Sequence, residues 1–185
     1  GGAARLIQVD ANTAALQGGV KNSSATAASL RKTGAGTLEH DPGAATGTTL
    51  TGLNTGGGSS RLTSGTYTIT GSASTSAPDG TTGFIVSRGG TFHLNGANVT
   101  CTGGSYVFPA GNTNGGSSRF VLDSGLLDGG AKEVLNAYGA NGTTVINGGL
   151  FICGDFRVGQ SSTCRLELNG GTLRTNRLKD ANATT

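Results

Sequence analysis

Residues that could carry acid–base chemistry are scarce in this chain of 185 residues, because only 10 of them are Asp or Glu. Glu39, His40 and Asp41 form the single run in which carboxylates flank a histidine. Neighbouring residues of a β-strand point to opposite faces, so a strand here would place Glu39 and Asp41 together and His40 opposite them.

A polysaccharide lyase or hydrolase would need carboxylates stacked on neighbouring coils of a β-helix, together with a cation. The best such set is Asp123, Asp128 and Asp155 with Arg157. However, the chain has no Trp and only 5% aromatic residues, which leaves few platforms for stacking sugars. Asp128 and Asp155 are typical of turn positions, and no G-x-S-x-G nucleophile elbow occurs. We therefore expect no catalytic residues and no enzymatic activity, with a carbohydrate-active β-helix enzyme as the alternative.

The cysteines give no indication of a metal or cofactor. Cys101, Cys153 and Cys164 form no C-x-x-C pair, and the calcium-binding G-G-x-G-x-D repeat is missing. We therefore expect no metal and no cofactor. Buried free thiols are the favoured interpretation, and one disulfide is left open.

Charge and hydropathy give no indication of nucleic-acid binding or of a membrane-spanning helix. The net charge is +3 and the pI is about 9.0. The densest basic cluster has no interleaved aromatic residue, so we do not expect nucleic-acid binding. No apolar run of eighteen residues is present, so no membrane-spanning helix is expected. The members of the basic cluster are Arg165, Arg174, Arg177 and Lys179.

The elements that must position these residues follow from a repeated motif. An apolar β run ends in Asn147-Gly148-Gly149, and 22 residues later a second one ends in Asn169-Gly170-Gly171. Weaker copies lie at 120–127 and 99–106. Self-similarity of this length is typical of solenoids. We predict an all-β fold, a right-handed parallel β-helix with coils of roughly 20–25 residues; an antiparallel sandwich is the structural alternative.

The repeat also makes predictions about individual positions. The two Asn–Gly–Gly segments should be structural corners, with the asparagine side chains hydrogen-bonded along the rod. Gly148 and Gly170 should hold positive φ angles. The apolar residues just before the corners should point inward and stack on successive coils. These are Leu122, Ile146 and Leu168.

We divide the chain into an N-terminal strand and irregular segment at 1–30, a possible cap or donor strand, and solenoid repeats at 31–185. Within the first part, 5–10 reads as a strand and 11–16 as a helical turn. The Gly/Thr/Ser-rich stretch 41–60 reads as a loop or irregular coil. Period-two alternation predicts a strand at 66–70, and 83–86 and 90–94 read as two strands that flank a Gly–Gly corner.

Three segments resemble the autotransporter-associated β-strand repeat of secreted bacterial surface proteins. They are Lys-Thr-Gly-Ala-Gly-Thr-Leu at 32–38, Ser-Gly-Thr-Tyr at 64–67 and Asn-Gly-Gly-Thr-Leu at 169–173. The resemblance implies a parallel β-helix located outside the cell or on the bacterial surface. One departure is the polar, Pro-broken stretch at 39–42, where the family has a Leu-x-Leu strand.

The expected function is therefore that of a non-catalytic extracellular structural β-solenoid, a surface rod or self-associating fibre subunit that could also be adhesive. Glycans or a host surface are the other partners considered. Weakly capped solenoid ends invite pairing with another chain. The residues predicted to mediate self-association end to end are Arg5, Leu6, Ile7 and Val9.

Overall fold

The structure is a computed structural model that describes residues 4–18, 20, 28–43, 47–73, 83–112, 116–159 and 162–180, with backbone only at 4, 5 and 112. Within these ranges all regular structure is β-strand. The strands are β1 (Ala4–Gln8), β2 (Thr13–Gln17), β3 (Ser29–Thr33), β4 (Thr37–Asp41), β5 (Gly47–Leu50), β6 (Gly52–Gly56), β7 (Ser59–Leu62), β8 (Thr66–Ile69), β9 (Gly83–Ser87), β10 (Thr91–Cys101), β11 (Tyr106–Asn112), β12 (Ser118–Asp128), β13 (Glu133–Asn136), β14 (Gly142–Ile146), β15 (Leu150–Val158), β16 (Cys164–Leu168) and β17 (Thr172–Asp180).

The strands form three parallel ladders, in which each strand pairs with the equivalent strand one coil away. Ladder 1 contains β2, β4, β7, the first halves of β10 and β12, β14 and β16. Ladder 2 contains β5, β8, the second halves of β10 and β12, and the first halves of β15 and β17. Ladder 3 contains β1, β3, β6, β9, β11, β13 and the second halves of β15 and β17.

The chain passes through ladders 1, 2 and 3 in turn and then starts the next coil. The result is a parallel β-solenoid of about six turns, which confirms the predicted fold class. Six steps of about 4.8 Å give a rod about 29 Å long. Parallel strands need a crossover connection, and here the rest of each coil provides it.

Period-two alternation fixes which side chains face the interior. Leu122 pairs in register with Ile146, and Ile146 pairs with Leu168, so these three residues form the predicted inward column. Leu122 and Ile146 are fully buried, but Leu168 is 58% exposed. Leu168 lies on the last described coil, and no described strand continues ladder 1 beyond it. The column is therefore confirmed, whereas burial at Leu168 is not found.

A chain of phenylalanine rings fills the interior of the middle and C-terminal coils. Phe84 contacts Phe92 and Phe120 edge to face, with ring centroids 5.0 and 5.9 Å apart. Phe120 contacts Phe151, and Phe151 contacts Phe156, each at 5.9 Å. All five rings are buried. Edge-to-face pairs add about 0.5–1.5 kcal/mol each beyond area burial, so this chain couples successive coils.

Three local predictions were wrong. The stretch 11–16 contributes to β2 rather than a helical turn, because pairing with β4 overrides local propensity. The stretch 41–60 contains β5 and β6, whose inward side chains, among them Thr48, Leu50 and Leu53, are buried. The weak copy at 99–106 is a different corner: Leu94 pairs with Leu122, so Asn95 and Gly96 are the true equivalents of the corner at 123–125.

Candidate functional site

The corner between ladders 1 and 2 carries a ladder of polar side chains along the rod. Asn169 Nδ2 donates to Asn147 Oδ1 at 3.0 Å, and Asn147 Nδ2 donates to Asp123 Oδ1 at 2.8 Å. His93 Nδ1 lies 3.5 Å from Asp123 Oδ2. The predicted stacking of the two asparagines is confirmed, and the ladder continues through two further residues.

The positive φ angles predicted for Gly148 and Gly170 are wrong, because the second glycine of each corner adopts that conformation. Gly149 and Gly171 have φ angles of 70° and 66°, whereas Gly148 and Gly170 are not in the left-handed region. Gly148 and Gly170 are instead closely packed. A Cβ atom on either would lie 2.4 Å from a backbone carbonyl oxygen of the preceding coil. Both glycines of each pair are thus required, the first by close approach and the second by conformation.

The structure separates the acid–base run at 39–41. Glu39 and Asp41 lie on the outer side of β4, as predicted, and His40 lies on the inner side. The Asp41 carboxylate accepts hydrogen bonds from the Ser64 hydroxyl and from Gly43 N, which hold its pKa below the usual value. The Ser64 contact ties neighbouring coils together, while the His40 ring bonds to Gly18 and Tyr67 on the inner side.

His40 is a core residue with both ring nitrogens bonded. It is 1% exposed and takes the inward position between Leu16 and Leu62 in ladder 1. Nε2 lies 3.0 Å from the carbonyl oxygen of Gly18, so Nε2 donates. Nδ1 then accepts from the Tyr67 hydroxyl at 3.0 Å. Burial raises the pKa of Tyr67. The polar stretch at 39–42 therefore still contributes to β4, where the hydrogen-bonded His40 takes the inward place of an apolar side chain.

The carboxylates of the enzyme hypothesis are not brought together. Asp123 lies at the corner after ladder 1, Asp128 ends a ladder 2 strand, and Asp155 belongs to ladder 3. Asp128 Oδ1 accepts from Gly130 N at 2.7 Å, which confirms its turn role. Arg157 is paired with Glu133 at 2.6 Å.

Ion pairs connect the last coil to the coils before it on ladder 3. Asp155 lies 2.9 Å from Arg177 Nη2 and 2.7 Å from Lys179 Nζ. Hydrogen bonds from Arg177 and Lys179 lower the pKa of Asp155 to about 2. Two of the four residues in the basic cluster, Arg177 and Lys179, are thus paired with the Asp155 carboxylate.

A buried cation lies inside the N-terminal coils. The Lys32 side chain is 1% exposed, and its Nζ donates to the carbonyl oxygens of Gly34 at 2.7 Å, Gly57 at 2.8 Å and also Gly36. Desolvation lowers the pKa of Lys32. The sequence reasoning missed this residue. The available signal was its spacing from Leu30, which places both on the inner side of β3.

The cysteines are the remaining residues with reactive side chains. All three cysteines are free, and burial raises the pKa of Cys101 to about 12. Among the residues that the structure describes, no group of three or more His, Cys, Asp or Glu side chains could hold a metal ion. No helix in the described part of the chain is long and apolar enough to cross a membrane.

The coil edges are the remaining candidate. Among the described strands, β16 pairs only with β14 and β17 only with β15, so each has an open outer edge. Leu168 and Leu178, at 58% and 62% exposed, lie on this coil. We call β16 and β17 the C-terminal edge.

At the other end, β1 pairs only with β3 and β2 only with β4 within the described ranges. Of the residues predicted to mediate self-association, Leu6 is 59% exposed, Ile7 packs partly against the core and Val9 is buried. Arg5 pairs through its backbone with Leu30. Both β1 and β2 lie within the segment predicted as 1–30, and we call them the N-terminal edge.

Comparison with known proteins gives no relative: no family model, no curated protein and no solved structure matches the chain. Function therefore has to be inferred from the corners, the ion pairs and the two coil edges.

Proposed function

We propose that this chain is a structural β-solenoid without catalytic activity, a rod or fibre subunit that stacks end to end on further copies of itself. The C-terminal edge is the observation that carries the proposal. Its inward leucines are exposed, and no described strand pairs with its outer side, although the equivalent positions one coil earlier are buried and paired. A partner that continues the ladders would bury them.

The N-terminal edge of a second copy has the pattern needed to continue the ladders. One inward column of ladder 1 starts at Leu16 and ends at Leu168, with each member in register with the next. The neighbouring column starts at Ala14 and ends at Leu166. Placing Leu16 of one copy on Leu168 of another extends both columns by one step. A head-to-tail contact of this kind is heterologous and builds a filament rather than a closed ring.

We place this rod outside the cell or on the bacterial surface, as the resemblance to the autotransporter-associated repeat implies. Adhesion to a glycan or host surface through the outer faces of the coils belongs to the same proposal. The support for this part is the resemblance at 32–38, 64–67 and 169–173, together with the abundance of Gly, Thr, Ser and Asn in the chain.

The carbohydrate-active alternative has no supporting observation among the described residues, since its carboxylates lie on different ladders. Incubation with a panel of polysaccharides should release neither reducing ends nor unsaturated sugars. Turnover that is lost in a folded Asp155→Asn variant would contradict the non-catalytic proposal.

Negative-stain microscopy tests the stacking. Wild-type protein at high concentration should form thin filaments, and deletion of residues 1–10 should leave short rods with a largely intact β-sheet circular dichroism signal. As a matched pair, Leu168→Glu at the C-terminal edge should abolish filaments, whereas Thr143→Glu on the outer face of the same ladder should not. Wild-type protein that stays as single short rods at every concentration would overturn the proposal.

A further inference from the structure

The order of the strands along the chain limits how two copies can stack. The second half of β15 follows β14 and leads into β16, and β14 and β16 are neighbours in ladder 1. In the same way, β3 follows β2 and leads into β4, and β2 and β4 are neighbours. Two adjacent strands of ladder 1 are therefore connected through a single strand of ladder 3.

Stacking Leu16 on Leu168 brings two strands to one place in ladder 3. In the copy that presents its C-terminal edge, residues 177–180 of β17 follow β16; we call them the β17 tail. In the incoming copy, β1 precedes β2 in the same ladder. Because β16 and the incoming β2 are neighbours in the stack, only one of the two strands can lie between them.

The outer side of this place favours β1 over the β17 tail. Arg157 of β15 pairs in register with Lys179 of the β17 tail. Arg31 of β3 pairs in register with Leu6 of β1. The outer position at the junction therefore lies between Arg157 of one copy and Arg31 of the next. The β17 tail would put Lys179 there and align three cations about 4.8 Å apart, which repel one another, whereas β1 supplies an uncharged leucine.

The neighbouring inner position also favours β1. Val158 pairs in register with Asp180 of the β17 tail, and Lys32 pairs in register with Ile7 of β1. The β17 tail would bury the Asp180 carboxylate between Val158 and Lys32, whose ammonium group already donates to three carbonyl oxygens. Burying a charge is costly unless it is paired. Ile7 and Val158 both pack partly against the core, so β1 continues an apolar contact.

The side chains of the β17 tail hold it to its own copy through exposed contacts. Leu178 is largely exposed. Arg177 and Lys179 bind Asp155, but their side chains are 68% and 32% exposed, and ion pairs at exposed sites add little stability. The first half of β17 is held more firmly, because Leu173 packs against the core.

We propose, on the basis of the proposed end-to-end stacking, that assembly is a strand exchange in which β1 of the incoming copy displaces the β17 tail. β1 keeps its pairing with β3 of its own copy and gains the second half of β15 as a second neighbour. The first half of β17 stays in ladder 2. The C-terminal end of each copy thus binds the N-terminal strand of a second copy by strand addition to an open sheet edge.

Disulfide cross-linking between Leu6 and Arg157 tests the exchange. In a Cys164→Ser background, the double variant Leu6→Cys, Arg157→Cys should oxidise to covalent oligomers, because the exchange places these positions on adjacent strands, within the Cα separation of about 4.4–6.8 Å that a disulfide spans. Within one copy the two positions lie on the first and the second-last strands of ladder 3, about 29 Å apart, so they cannot join there.

Two other cysteine pairs report the alternative arrangements. Arg31→Cys with Lys179→Cys would link copies if the β17 tail stayed and β1 left. Leu6→Cys with Lys179→Cys would link them if β1 paired with the β17 tail itself. Oligomers from either of these pairs, with none from positions 6 and 157, would overturn the exchange and leave end-to-end association intact. Wild-type protein that forms no filaments would overturn the stacking, and the exchange with it.

A truncation provides a second measurement. Removing residues 177–185 removes the competing strand, so filaments should appear at a protein concentration at least about fivefold lower than for wild type, since the edge no longer has to be uncovered. Removing residues 181–185 alone is the matched control and should leave this concentration unchanged. A truncation at 176 that is folded by circular dichroism, yet needs the wild-type concentration or more, would contradict the exchange.

Discussion

Two leucines in the same inward column offer a matched test of how stability is distributed along the rod. Leu122 is fully buried between Leu94 and Ile146, whereas Leu168 is 58% exposed on the last described coil. Replacing a fully buried leucine by alanine costs about 2.7–5 kcal/mol, because transfer and cavity terms add. Full burial of a leucine side chain is worth about 1.5–3 kcal/mol, so the buried part of Leu168 contributes about 1 kcal/mol.

We therefore expect Leu122→Ala to lower the free energy of unfolding by about 3–4 kcal/mol and Leu168→Ala by about 1 kcal/mol. Urea unfolding followed by far-ultraviolet circular dichroism, at a protein concentration low enough to prevent stacking, gives both values. Equal m-values for the two variants would show that the same surface is exposed on unfolding, so that the free energies can be compared.

Similar costs for the two substitutions at low concentration would refute the assigned exposure of Leu168. A cost below about 1 kcal/mol for Leu122→Ala would refute the interior column itself. Raising the protein concentration should increase the cost of Leu168→Ala alone, because stacking buries that side chain.

Three further substitutions test other contacts. Gly148→Ala should destabilise the fold by about 1–3 kcal/mol through overpacking against the preceding coil, whereas Gly47→Ala, with nothing within 4 Å of its Cβ, should not; thermal melts compare them. Lys32→Met should cost at least about 2 kcal/mol in urea unfolding, since the carbonyl oxygens of Gly34 and Gly57 lose the Lys32 donor and each such loss costs about 1–3 kcal/mol. The Asp155 pKa is lowered to about 2, below its unfolded value of about 3.9, so its stabilisation is present above pH 4 and lost as the pH falls towards 2. Asp155→Asn should therefore lower the melting temperature at pH 7 but not near pH 2.

The fold could be predicted because some coils carry no insertion. Between Asn147 and Asn169 the step is 22 residues, and the same apolar, Asn and Gly pattern recurs at each end of it. Between Leu94 and Leu122 the step is 28 residues, because the connections outside the ladders are longer there. The sequence pattern then aligns the wrong corner, since only pairing between strands reveals which residues are extra.

The buried polar residues could not be predicted in the same way. Lysine is rarely buried and histidine only sometimes. The burial of Lys32 and His40 depends on hydrogen-bond partners from other coils: the Gly57 carbonyl oxygen accepts from Lys32, and the Tyr67 hydroxyl donates to His40. Likewise, Gly148 is constrained by a carbonyl oxygen one coil away rather than by its own φ angle. Contacts between coils decide all three cases.

Disulfide cross-linking tests end-to-end stacking most directly. Ala15 and Glu167 occupy the outer column between the two inward columns of ladder 1, at its first and last strands. Stacked copies would hold them as neighbours, within the Cα separation of about 4.4–6.8 Å that a disulfide spans. In a Cys164→Ser background, the double variant Ala15→Cys, Glu167→Cys should oxidise to a ladder of covalent trimers and longer oligomers on a denaturing gel, whereas either single variant should give at most dimers. A double variant that forms no species beyond those of the single variants would contradict head-to-tail assembly.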